Sequence, residues 1–208
     1  MGRLAITSET LTTAVAGTLE WDSKVPYFTP LGTQRGVVPG MQYYLLNSLV
    51  AGSNATGNQS VFGLSTGVTL SSSTIYRYEF FYVFAKSSGT TVHTMSIGFT
   101  GTATNNWFAG DALYNGTQNG FNTADSGAYY SIGTSPTPFP VTNSQGNAAQ
   151  QMSIWGHGSI SVNAGGTFLP VYALSAAPGG AYSTYPGSYF LVYPVGTSGS
   201  NISVGTWA

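Results

Sequence analysis

The chain has 208 residues, of which 42% are apolar and 14% aromatic, enough to bury a core and far from the composition of a disordered chain. Only 5% are charged, against roughly 25% in ordinary soluble domains, and the formal net charge is -1. Five basic residues make no patch for phosphates and no run approaches the ~20 apolar residues that cross a bilayer, so neither nucleic acid nor membrane is expected as a partner.

A surface covered by Ser, Thr, Asn, Gln and Gly has little ionic repulsion, which favours association. Charge depletion is also a mark of interface cores, so the expected partner is a second copy or a larger assembly. There is no cysteine and no apolar stretch after Met1 long enough for a signal peptide, so synthesis in a cytosol is expected.

Residues 1–40 are expected to hold N-terminal strands and an attachment segment, continuous with a β-sandwich domain over 41–208. The first strand candidates are Gly17–Asp22, Val25–Thr29 and Met41–Val50. The clearest is Thr74–Lys86. It places Tyr76, Tyr78, Phe80, Tyr82 and Phe84 on one face, and Ile75, Arg77, Glu79, Phe81, Val83 and Ala85 on the other. Val92–Thr100 follows. Gly101 to Gly127, rich in Asn and Gly, is expected to be a long loop with tight turns. Ser135–Pro140 reads as an extended proline-rich connection. Further strands are expected at Gln151–Val162, Thr167–Ser175, Ser188–Val195 and Ile202–Trp207. No stretch has the capped, 3.6-spaced pattern of a helix. The expected fold is therefore all-β with essentially no helix, an antiparallel sandwich of jelly-roll type.

Motifs for catalysis are sparse. Gly63-Leu64-Ser65-Thr66-Gly67 matches a nucleophile elbow, but that chemistry needs a helix next and the residues that follow read as strand. Glu20 and Asp22 share a strand face and could form a carboxylate pair for glycoside hydrolysis, or a charged strand end. His93 and His157 have no ligand spacing between them, and each is expected to be a hydrogen-bonded strand residue. No catalytic residue, metal or cofactor is expected. The chemically rich group is aromatic: Trp107, Phe108, Tyr114, Phe121, Tyr129 and Tyr130 cluster in or beside the Gly/Asn-rich region. They are candidates for contact with a host-surface glycan or with another subunit, because such rings stack on sugars and are enriched at interfaces.

The segment Ala5-Ile6-Thr7-Ser8-Glu9-Thr10-Leu11-Thr12-Thr13, then Ala16-Gly17-Thr18-Leu19-Glu20-Trp21-Asp22, resembles one found in tail-fibre and other structural proteins of marine phages and cyanophages. Tyr27-Phe28-Thr29-Pro30, Thr33–Pro39, Ser159–Pro170, Ala176–Gly180 and the ending Val204–Ala208 continue it. That likeness implies a bacteriophage virion protein, assembled in the host cytoplasm, with other capsid or tail proteins as partners and no transferable catalytic motif. With no fibre shaft ahead of the segment, a capsid decoration, a head fibre knob or a small tail-tip subunit is expected. Gly187-Ser188-Tyr189-Phe190 resembles a late strand of the trimeric jelly rolls of the complement-C1q and tumour-necrosis-factor group, which implies a homotrimer.

Overall fold

In a computed structural model the described residues are 5–11, 13–117, 121–134, 137–142 and 144–207, with 117 and 121–132 described by backbone alone. The chain is built of strands, none of the described residues is helical, and every strand pairing is antiparallel. In chain order the strands are β1 Leu19–Trp21, β2 Pro26–Phe28, β3 Gly36–Val37, β4 Gln42–Leu45, β5 Val50–Ala51, β6 Gln59–Ser60, β7 Val68–Leu70 and β8 Thr74–Lys86. They continue as β9 Met95–Thr100, β10 Thr104–Thr117, β11 Phe121–Gly133, β12 Phe139–Pro140, β13 Gln150–Ala164, β14 Gly166–Leu174, β15 Ser183–Thr184 and β16 Tyr189–Thr197.

The large sheet runs β11-β10-β13-β8 and continues past β8 as two collinear pairs, β15 with β5 and β16 with β4. The smaller sheet runs β12-β9-β14, with β6 and β7 along the outer edge of β14. Successive strands cross between the sheets: β7 to β8, β8 to β9, β9 to β10, β13 to β14 and β14 to β15. The result is the expected antiparallel sandwich.

Two expectations need correction. The Gly101 to Gly127 region is not a loop. Residues 104–117 and 121–133 form β10 and β11, and β10 runs the length of β13. Asn115-Gly116 suggested a turn, but the tertiary pairing with β13 overrides that local preference; Asn119-Gly120 lies outside the described residues. Ile202–Trp207 is not a strand either; it closes the chain as an irregular tail.

The core forms where the sheets face each other, and β8 supplies its centre. Tyr76, Tyr78, Phe80, Tyr82 and Phe84 are all buried, as the period-two pattern predicted. Phe80 stacks on Tyr82 with centroids 4.5 Å apart, and Phe99 from the other sheet stacks on Phe168 at 4.3 Å. Tyr78 meets Phe99 edge to face at 5.2 Å, joining the layers.

Rings this large need room in their own sheet, and glycines provide it. Gly110, Gly158 and Tyr78 are consecutive neighbours across β10, β13 and β8, and Gly156 is the partner of Phe80. A Cβ at Gly110 or Gly158 would collide with the Tyr78 hydroxyl, and one at Gly156 with the Phe80 ring. The glycines form a trough in which the aromatic rings of β8 lie.

A polar network pins one end of the sandwich. His93, Tyr182, Gln150, Gln145 and Tyr114 are all buried. His93 donates through Nδ1 to the Thr91 carbonyl at 2.7 Å, and its Nε2 is 2.8 Å from the Tyr182 hydroxyl. The chain continues from Tyr182 to Gln150 (2.5 Å), from Gln150 to Gln145, and from Gln145 Nε2 to Tyr114 Oη (2.8 Å). Beside it the buried Lys86 ammonium donates to the carbonyls of Ser88, Gly89, Asn147 and Ala148. The side chains of His93, Tyr182, Gln150, Gln145 and Tyr114 and the Lys86 ammonium each have a partner, which is the condition for burying them.

β1, β2 and β3 make a separate three-stranded sheet. Lys24 Nζ ties it to the sandwich through the Ser72 carbonyl at 3.1 Å.

Candidate functional site

The site is the outer face of the large sheet. Strand residues alternate between faces, so the residues of β8, β10, β13 and β16 that do not enter the core line this surface. Pairing aligns them in rows. One row reads Leu113, Trp155, Phe81, Tyr189 and Leu45 across β10, β13, β8, β16 and β4. Leu113 is 47% exposed, Leu45 50% and Trp155 36%. Phe81 and Tyr189 are half-buried with centroids 6.3 Å apart, and exposed Tyr43 packs 5.7 Å from Tyr189. This is a contiguous apolar-aromatic stripe on a surface that no described element of the chain covers.

In the row through Asp111, His157, Glu79 and Leu191 the first three residues are polar. His157 Nδ1 lies 3.1 Å from Asp111 Oδ1, an ion-pair distance once the imidazole is protonated, and the His157 ring packs 5.0 Å from Trp155. The Tyr189 hydroxyl donates to Glu79 Oε1 at 2.5 Å. That hydrogen bond to a carboxylate is the main reason the Tyr189 phenol is pushed up to about 12, with burial and the charge of Glu79 adding to it. Glu79 is therefore engaged by a neighbour within the face.

Of the six aromatic candidates, the structure separates those it describes. Phe108 and Tyr114 point inward and are buried at 1% and 2%, Phe108 stacked on Tyr78 and Tyr114 bonded to Gln145. They are core residues and not contacts for a ligand. Their spacing in β10 puts them on the face opposite Trp107. Trp107 points outward and is 39% exposed. Phe121, Tyr129 and Tyr130 lie in β11, paired with Thr117, Ala112 and Asp111, and their side chains lie outside the described residues. Sequence reasoning missed Leu45, Phe81, Leu113, Trp155 and Tyr189. The second face of β8 carried a signal for Phe81; the others become one stripe only through pairing.

The remaining motifs are structural. Arg35 Nε and Nη2 grip both Glu20 oxygens at 2.8 Å, the forked geometry that favours Arg. Asp22 lies just past β1, accepts from the Lys24 and Val25 backbone amides at 2.9 and 2.7 Å, and accepts the Tyr27 hydroxyl at 2.9 Å. This is a turn clamp. Ser65 sits in an exposed turn before β7, without the helix an elbow requires.

No protein-family model matches the chain, and no curated protein does. A comparison of coordinates finds a faint likeness to the structure of infectious bursal disease virus Gx strain, with 8% identity and a TM-score of 0.17 over 91% of this chain. The match spans 51% of that viral chain, and at this score it establishes no common fold.

Proposed function

We propose that the chain is a structural protein of a bacteriophage surface, working by assembly with its own copies and with other virion proteins, without catalysis. The observation that carries the assembly reading is the Leu113–Trp155–Phe81–Tyr189–Leu45 stripe on a chain that is only 5% charged. Contact with water leaves this apolar area unfavourably hydrated, at about 25 cal/mol per Å². The half of the face around the stripe spans six strand rows. At about 4.8 Å per row and about 23 Å along the strands, it offers roughly 650 Å² per subunit. Covering that face with an equal area of a neighbouring subunit buries roughly 1,300 Å², within the range of stable specific interfaces.

The virion setting rests on the phage-like sequence segments, and a capsid decoration, head fibre or tail-fibre component fits them equally. Three copies about a symmetry axis is the stoichiometry favoured by Gly187–Phe190, whose Tyr189 stands in the stripe. The reading without catalysis is supported by Glu20 and Asp22, whose carboxylates are committed to Arg35 and to a turn.

Light scattering on the purified chain tests the assembly. The expected result is an oligomer that persists in 1 M salt, because the contact is not ionic, and that Leu113→Glu dissociates. A monomer at micromolar concentration would overturn the reading. Electron microscopy of the encoding virus, with an antibody to the chain, tests the location.

A further inference from the structure

The outer face of the large sheet carries a second feature, about 20 Å along β10 from the apolar stripe. Between Thr104 and Trp107 the register of β10 against β13 shifts: Asn105 pairs with Val162 and Trp107 with Ser161, leaving Asn106 as the extra residue of a β-bulge. A bulge re-aims side chains. Here it sets Asn106 beside Trp107 on the outward face, where a regular strand would send one of them inward. The Asn106 amide is fixed by donating through Nδ2 to Ser161 Oγ at 3.2 Å. Within the bulge Asn105 Oδ1 is buried without a hydrogen bond.

These residues form one wall of a groove of about 600 Å³ whose other wall is the C-terminal tail, with Ser200, Asn201 and Ile202. Ile75 and Ser161 also line it. The size is that of a small-ligand site. The chemistry is specific in what it omits: none of the described lining residues is charged. Phosphate, carboxylate and ammonium ligands would enter without a counter-charge. What the groove supplies is a partly exposed indole, two primary amides, serine hydroxyls and branched aliphatic carbons. A pyranose matches this set. Its C–H face packs on an indole, and its vicinal hydroxyls each donate and accept, as an amide does.

We propose that the groove between Trp107 and the Ser200–Ile202 tail is a binding site for a neutral saccharide. The pinned Asn106 amide presents Oδ1 to one sugar hydroxyl, and Asn201 offers a second polar contact across the groove. The site stands apart from the apolar stripe, so it does not depend on the assembly proposed above.

An array of neutral glucan, mannan, galactan and chitin oligosaccharides, with heparin as a charged control, tests it on the full chain. The expected result is binding to at least one neutral series and none to heparin. Calorimetry on the best oligosaccharide should show at least a tenfold loss of affinity in Trp107→Ala and in Asn106→Ala, with Val92→Ala, exposed beside the pinned end of the sandwich, unchanged. Circular dichroism verifies that each variant is folded, and Asn106, on the exposed surface, serves should Trp107→Ala fail to fold. No binding at millimolar oligosaccharide overturns the proposal. So does binding that survives both substitutions, or binding confined to heparin.

Discussion

The two faces of the large sheet are made from the same strands and both are rich in apolar side chains, yet they do different things. On the inner face Tyr78, Phe80 and Tyr82 are enclosed, and glycines of β10 and β13 are shaped around them. On the outer face Leu45, Leu113 and Trp155 have neighbours within the sheet and no described element above it. Burial on the inner side is completed by folding. On the outer side it is left incomplete, and surface of this kind gains stability from a second molecule. An aromatic residue is therefore structural or associative according to the side of the pleat on which it falls, not according to its type.

Substitutions on the two faces should separate sharply. Phe80→Ala removes a fully buried, stacked ring and should destabilise the fold by about 3–5 kcal/mol, read as a lower urea midpoint. Gly158→Ala tests the trough from the opposite direction. Its methyl collides with the Tyr78 hydroxyl and the Ala109 carbonyl, and overpacking of this kind should cost about 1–3 kcal/mol in the same experiment.

The pinned end of the sandwich gives a pH-dependent effect. Burial is the main cause holding the His93 imidazole below its ordinary value of 6.5; the nearby Lys86 charge adds to the shift and the Thr91 carbonyl opposes it. The unfolded chain therefore takes up a proton at higher pH than the folded chain does. Stability from this group is complete above about 6.5 and declines as pH falls through the interval below it. Urea midpoints measured from pH 7.5 to 5 should fall for the parent and fall less steeply for His93→Asn; parallel curves would remove His93 from the account.

The smallest effect on monomer stability belongs to the outer face. Leu113→Ser should change the unfolding free energy by no more than about 0.5 kcal/mol, because the side chain is about half exposed. The same substitution should weaken self-association visibly in sedimentation velocity. A large loss of stability with unchanged association would erase the contrast between the faces.

Local sequence was decisive wherever a strand's own alternation carried the information. The pattern of Thr74–Lys86 determined an all-β fold, its central strand and the five aromatic residues of its buried face, because period two is a property of a single extended segment. Composition likewise determined that the surface would be poor in charge. Pairing between distant segments was not legible. Asn and Gly along residues 101–127 carry a local preference for turns, and only the long ladder to β13 makes them β10 and β11. The same ladder divides the aromatic candidates, sending Phe108 and Tyr114 inward and Trp107 outward, and a one-residue bulge brings Asn106 to Trp107. The stripe of Leu45, Phe81, Leu113, Trp155 and Tyr189 draws on five strands spread over most of the chain. Such a surface exists only after the register is set, because which residues become neighbours across a sheet depends on hydrogen bonds between segments that no single segment encodes.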